Sequence, residues 1–238
     1  MEEKIATLKR FVEESGKIVF FGGAGVSTES GIPDFRSQDG LYHLNYAVPP
    51  ETILSGDFFH ARTEEFYRFY RDKMLCLTAQ PNAAHKKLAA WEREGKLLAV
   101  VTQNIDGLHQ AAGSKSVYEL HGSVHRNRCL RCGKAFTAEE ILHTQGVPRC
   151  ACGGVVKPDV VLYGEPLGDK TVQGAVNAIA QADMLIVAGT SLTVYPAAGF
   201  GRYFRGKRLV LINRSATPLD NACDLLLREN VGEVLSQI

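Results

Sequence analysis

The chain is poor in the features that mark a protein for a membrane, a secretory route or a nucleic acid. No apolar run approaches the ~18 residues that a membrane-spanning helix requires. No sign of charge dominates: 27 Lys and Arg face 26 Asp and Glu, for a net charge of +1. That balance argues against a general binder of nucleic acid or polyanions, though not against a local basic patch. The opening MEEKIATLKRFVEES places charges where a signal peptide needs an unbroken apolar stretch. Internal repeats and low-complexity tracts are absent, and cysteine is sparse, with six residues in all. Four of these cluster, while Cys76 and Cys223 stand alone and read as buried thiols of a reducing compartment. The expectation is a soluble cytoplasmic protein without membrane or direct nucleic-acid partners.

What is present is enough apolar material for a large core, at 45% of 238 residues. Short apolar runs recur: KIVFF (17–21), LLAVV (97–101), MLIVAG (184–189) and KRLVLIN (207–213). Uninterrupted runs of that length suit strands buried on both faces of a parallel sheet. Helical patterns lie between them. Ile5, Leu8 and Val12 share one face, Pro81 can open a helix carrying Ala84, Leu88 and Trp91, and 171–180 is a further helix weakened by Gly174. The alternation predicts a doubly wound, Rossmann-like α/β fold with ligands beyond the carboxyl ends of the strands. Residues 1–36, 81–122 and 158–238 form this large part. The inserts 37–80 and 123–157 lack such strand signals and form a smaller helical and zinc-ribbon part, all within one catalytic domain spanning 1–238.

Cys129-Leu-Arg-Cys132 and Cys150-Ala-Cys152 are two close pairs seventeen residues apart. Each pair fits a tight turn, and glycines follow both where such turns favour positive φ. This is the spacing of a zinc ribbon, and four thiolates leave the metal no open position, so the ion is structural. Four unrelated reduced cysteines are the competing reading.

The strand exits carry the chemistry. Gly23-Ala24-Gly25 permits close backbone approach to a phosphate, with Ser27 and Thr28 as hydroxyl donors; a turn that simply needs glycine is the plainer alternative. Gln103-Asn104-Ile105-Asp106 places amides and a carboxylate where a carboxamide or ribose hydroxyls can be read. His121, after the short run VYEL, is a candidate general base because imidazole titrates near neutrality. His43, His60, His85, His109, His125 and His143 read as structural. Gly189-Thr190-Ser191 and Asn213 close the remaining exits.

Taken in order, Gly23-Ala24-Gly25-Val26-Ser27, Gly31-Ile32-Pro33-Asp34-Phe35-Arg36, Thr102-Gln103-Asn104-Ile105-Asp106, Leu108-His109, His121-Gly122, the four cysteines and Gly189-Thr190-Ser191-Leu192 resemble the sirtuins, most of all a bacterial member. The resemblance covers residue 16 to Asn213, with a weaker tail. It implies an NAD-dependent protein lysine deacetylase in which the dinucleotide is consumed rather than used for hydride transfer. The acyl group passes to ADP-ribose, nicotinamide leaves, and O-acetyl-ADP-ribose and free lysine result. Gly31 to Arg36 then form a mobile loop over the nicotinamide ribose, with Phe35 shielding C1′ and Arg36 reaching toward the phosphates. Such a lid also keeps water from the reacting centre.

The same resemblance implies roles residue by residue. His121 is the base, and Asn104 and Gln103 order ribose and a water. Asp106 and the Ile105 backbone hold the carboxamide. Ala24, Gly25 and Thr28 lie along the cofactor. Gly189, Thr190, Ser191 and Asn213 hold the adenosine side, and Val231 contacts adenine through its backbone. An acetylated peptide lies as an added strand between Val161, Gly164 and Glu165 on one side and Leu192, Thr193 and Val194 on the other. The cofactors are NAD and one structural zinc ion, and the protein is a monomer. Members that take succinyl or malonyl lysine carry Tyr-x-x-Arg above the tunnel. Here Tyr67 and Tyr70 fall at those positions, while Arg68 and Arg71 are one residue out of register. Acetyl-lysine is therefore the expected substrate, since an uncompensated carboxylate in an apolar tunnel is costly. The alternatives are removal of longer or acidic acyl groups, mono-ADP-ribosyl transfer, and a zinc-ribbon binding module carrying Arg126, Arg128 and Arg131.

Overall fold

The computed structural model describes residues 1–35, 40 and 47–238. Among these, nine strands form two sheets. The larger contains β1 (Ile18–Gly22), β2 (Leu97–Thr102), β3 (Val117–Glu119), β7 (Met184–Ala188), β8 (Arg208–Ile212) and β9 (Leu225–Leu227), in the order β3-β2-β1-β7-β8-β9. Every neighbouring pair is parallel. The order reverses beside β1, so the exits of β1, β2 and β7 open on one crevice, the position where such sheets bind ligands.

All residues of β1 and β7 are buried, which explains their unbroken apolar sequences. Ile18 and Phe20 face one core with α1 (Glu2–Glu14), α5 (Ala83–Arg93) and α9 (Val231–Leu235), through Leu8, Trp91 and Val234. Val19 and Phe21 face the other, with Ala175 and Ile179 of α8 (Asp169–Gln181). Gly174 of α8 is a packing residue rather than a defect: a Cβ there would lie 2.3 Å from the Tyr118 ring. Helix α5 starts two residues later than Pro81 suggests, because Asn82 caps it in a reciprocal box with His85.

The second sheet is antiparallel, with order β5-β4-β6 from β4 (Gly122–Cys129), β5 (Ala135–Phe136) and β6 (Val156–Val160). The cysteine segment is thus not irregular, as its sequence suggests. Strand β4 exposes His125, Arg126 and Arg128, so it lacks the continuous apolar run that marks a parallel strand. Between β1 and β2 in sequence lie α2 (Pro50–Ile53), α3 (Gly56–Ala61) and α4 (Thr63–Lys73), ahead of α5; α6 (Leu108–Ala111) follows β2, and α7 (Ala138–Leu142) follows β5. Phe59, Phe66, Tyr67 and Tyr70 form a buried aromatic group with Val156, Cys129 and Cys150. None of the helices among the described residues is long and apolar enough to cross a membrane.

Candidate active site and metal centre

Strand β1 does not run into a long helix. Two single 3-10 turns follow, Ala24–Val26 and Thr28–Ser30, and Gly31 ends the second with φ 82°. The glycines allow two strand exits to touch. Gly25 N–H donates to the Gly189 carbonyl at 2.9 Å, and a Cβ on Gly25 would lie 2.8 Å from Gly189 Cα. Gly189 itself has φ 58°, and a Cβ there would meet Val26 N at 2.5 Å. The turn and the open approach to the cleft therefore have one cause, the absence of side chains where β1 and β7 end.

A cleft of about 970 Å³ lies above these exits. Ala24, Gly25, Thr28 and Phe35 line it from the β1 side, and Gln103, Asn104, Ile105, Asp106 and His121 from β2 and β3. Gly189, Thr190, Ser191, Asn213 and Val231 line its far end, and Val161, Gly164, Glu165 and Val194 the remaining wall. Leu192 and Thr193 stand apart from this set. Leu192 takes φ 54° and is buried in the core beneath β7, while Thr193 is exposed and its hydroxyl lies 2.8 Å from that of Ser191. Arg36 and His43 are outside the described residues.

Hydrogen bonds fix the polar centre. Nδ1 of His121 lies 2.9 Å from the Gln103 carbonyl, which can only accept, so this nitrogen carries the proton. Nε2 is then the basic nitrogen. Burial lowers the His121 pKa, and the bond to Gln103 opposes the shift. Ser27 donates to Asp106 Oδ2 at 2.7 Å and accepts from Asn104 Nδ2 at 3.0 Å, while Leu108 N–H donates to Asp106 Oδ1 at 2.9 Å. Ser27 is thus a buried organiser of Asn104 and Asp106 rather than a phosphate donor. Residue type at this position gave no hint of that, because its partners are 77 and 79 residues away. His125 donates from Nε2 to the Asp106 carbonyl at 2.9 Å and steadies the same turn.

The other predicted residues are similarly held. Gln103 Nε2 donates to Thr190 Oγ1 at 2.9 Å, tying the β2 and β7 exits. Thr28 Oγ1 donates to the Gly25 carbonyl at 3.1 Å, and the Asn213 amide to the Ser215 carbonyl at 2.8 Å. The Ile105 carbonyl accepts from Val124 N–H. The Glu165 carboxylate accepts from Lys157 Nζ at 3.0 Å and Leu162 N–H at 2.9 Å, which shapes the 161–165 segment. Lys73, Met74, Cys76, Arg214 and Glu229 also line the cleft and were not signalled by any motif. Helix and strand ends placed them there.

Tyr67 and Tyr70 are fully buried and are not among the cleft-lining residues. Burial pushes both phenol pKa values up, and Tyr67 donates to the Val156 carbonyl. Arg71 points away, donating to the Ile141 carbonyl, Thr144 Oγ1 and the Gly146 carbonyl, and Arg68 is exposed.

The four sulfurs of Cys129, Cys132, Cys150 and Cys152 lie within 4.8 Å of one another, with Sγ pairs at 3.5 and 3.6 Å. Tetrahedral thiolates at about 2.3 Å from zinc would stand ~3.8 Å apart, so the set fits that ion. Gly133 and Gly153, both at positive φ, return their N–H groups to the Cys129 and Cys150 carbonyls and close the two knuckles. Four sulfur donors leave a bound zinc no position for water, which makes it structural.

Fold and cleft together define a class: a Rossmann-like protein whose nucleotide crevice adjoins a second, metal-binding sheet. Residues 23–196 match the Sir2 family. The chain is 59% identical to a Clostridium acetobutylicum protein named NAD-dependent protein deacetylase, covering 99% of this chain and 98% of that one. A Cutibacterium acnes protein of the same name is 54% identical, with 97% and 96% covered. A solved Sir2 structure with a deacetylated peptide and 3′-O-acetyl-ADP-ribose superposes with TM-score 0.91 at 39% identity, covering 98% of this chain and 96% of that one. Another, with a peptide and NAD+, gives 0.86 at 40% identity over 97% and 95%. The chain belongs to the Sir2 family, the sirtuins.

Proposed function

We propose that this protein is an NAD-dependent protein lysine deacetylase that transfers the acetyl group of acetyl-lysine to ADP-ribose. The observation that carries the reading is His121, whose Nδ1 proton is committed to Gln103 while Nε2 is the basic nitrogen within the cleft. Bound NAD supplies an electrophilic C1′ with nicotinamide as its leaving group. Asp106 and Asn104, both fixed through Ser27, hold the carboxamide and ribose, and misplacement by ~1 Å could cost about 100-fold. His121 accepts a proton from a ribose hydroxyl. Phe35, packed against the aromatic core, keeps water from the reacting face. Thr190, Ser191, Asn213 and Val231 take the adenosine half.

The acylated peptide adds as a strand beside Gly164, whose N–H and carbonyl meet no partner among the described residues. Val194 forms the opposing wall. The Tyr163 backbone is already bonded to Leu54 and Gly56, which fixes the edge the peptide meets. Acetyl is the preferred acyl group, since neither Arg68 nor Arg71 lines the cleft. The enzyme acts in the cytoplasm, where its metal-binding thiols stay reduced. Mass spectrometry of a reaction containing NAD and an acetylated peptide tests the reading: free nicotinamide and O-acetyl-ADP-ribose are expected, and their absence would end it. A kcat/KM greater for the succinylated than for the acetylated peptide would overturn the acyl assignment.

A further inference from the structure

Helix α9 is short, and its first residue, Val231, lines the adenosine end of the cleft. The first N–H groups of a helix lack partners within it. Asn230, the residue in position to cap α9, makes no side-chain cap. Instead Gly232 N–H donates to the Glu29 carboxylate at 2.6 Å, across 203 residues of sequence. The approach is close: a Cβ on residue 232 would lie 2.7 and 2.8 Å from the two carboxylate oxygens, so a larger residue would push the Glu29 carboxylate aside. Glu29 belongs to the turn Thr28–Ser30, which leads directly into Gly31 and the Ile32–Phe35 segment lining the nicotinamide end of the cleft.

We propose that Glu29 is a positioning residue for the dinucleotide: it latches the root of the cofactor loop to α9 and so fixes the spacing between the two ends of the cleft. The inference rests on the reading of the cleft as an NAD site and adds a residue that contacts no part of the ligand. A hydrogen bond from an amide to a carboxylate is stronger than one to a neutral acceptor. With the latch open, α9 and the loop root are coupled only through the apolar core that Val26 shares with Val231 and Val234, and a ligand that touches both must order them further on binding. The latch therefore bears on binding of the whole dinucleotide more than on the chemical step.

The test uses the zinc-loaded protein. ADP-ribose affinity is measured by calorimetry, and KM for NAD and kcat by nicotinamide release, for wild type, Glu29→Ala and Glu29→Gln. Glu29→Ala is expected to weaken ADP-ribose binding and raise KM for NAD, each about tenfold, with kcat within about twofold. Glu29→Gln, which keeps an acceptor oxygen, recovers part of the loss. Hydrogen exchange gives a second readout: ADP-ribose protects 28–32 and 231–235 together in wild type and separately in Glu29→Ala. Unchanged affinity in Glu29→Ala, or a fall in kcat matching the rise in KM, would overturn the latch while leaving the enzyme's activity intact. Failure of wild type to bind ADP-ribose would overturn the reading of the cleft and the latch with it.

Discussion

The two sheets are held together by different physics. The six-stranded sheet buries its strands on both faces between two apolar cores, and its glycines and polar residues gather where strands end. The three-stranded sheet has one buried face, an aromatic group beneath it, and four thiols converging at its far end. The first can rely on area removed from water. The second is too small for that and fits a protein that takes part of its folding energy from a metal. His121 and Gly122 stand at the junction, the last residue before β4 and its first, so the chemistry lies where one mode of stabilisation gives way to the other.

The largest effect expected from breaking this contrast is metal removal. Chelation, or Cys150→Ala, should abolish activity and strip hydrogen-exchange protection from β4–β6 while β1 and β7 keep theirs. Equal loss in both sheets would show that the two are one cooperative unit. Next comes His121→Ala, on the other side of the junction. It should lower kcat/KM by about 100- to 10,000-fold with zinc content and Tm unchanged. Gly25→Ala drives a methyl into Gly189 and should cost about 1–3 kcal/mol, measured by urea unfolding, together with loss of NAD binding.

A milder probe is pH. His85 and His109 are buried with ring centroids 4.7 Å apart, and burial lowers both pKa values from 6.5. The unfolded chain then binds more protons than the native one as pH drops below 6.5, so stability is full above that pH and declines with acidification. Midpoints in urea measured from pH 7 to 4 should fall steadily, and less so in His109→Leu. Burial also lowers the pKa of His121, so the acid limb of kcat/KM should lie below pH 6.5. The smallest effect belongs to Arg126, which bonds Glu119 of β3 and Asp159 of β6 and thus spans the two sheets at the surface. Nearly half exposed, it should contribute less than about 1 kcal/mol, so Arg126→Ala should barely shift Tm.

Legibility in the sequence followed the same division. The four longer parallel strands of the large sheet could be read because burial on both faces demands unbroken apolar runs. The antiparallel strands β4–β6 could not, because half their residues face outward and a bulge between Ser123 and Asn127 interrupts the pairing. β9 is equally illegible, because LLL in isolation is too short to tell strand from helix. In the site, glycines, cysteines and the Gln103–Asp106 run announced themselves by local spacing. Tyr67 and Tyr70, which the resemblance places in the helix over the acyl tunnel, lie buried in the aromatic core.

The amino-acid order alone determined the strand exits, the paired thiols and the histidine, since each depends on residue type within a few positions. Tertiary structure decided which nitrogen of His121 is basic, that Ser27 orders Asn104 and Asp106, and that Glu29 reaches Gly232. These depend on partners from 18 to 203 residues apart, and only packing of the sheets brings such distances down to a hydrogen bond.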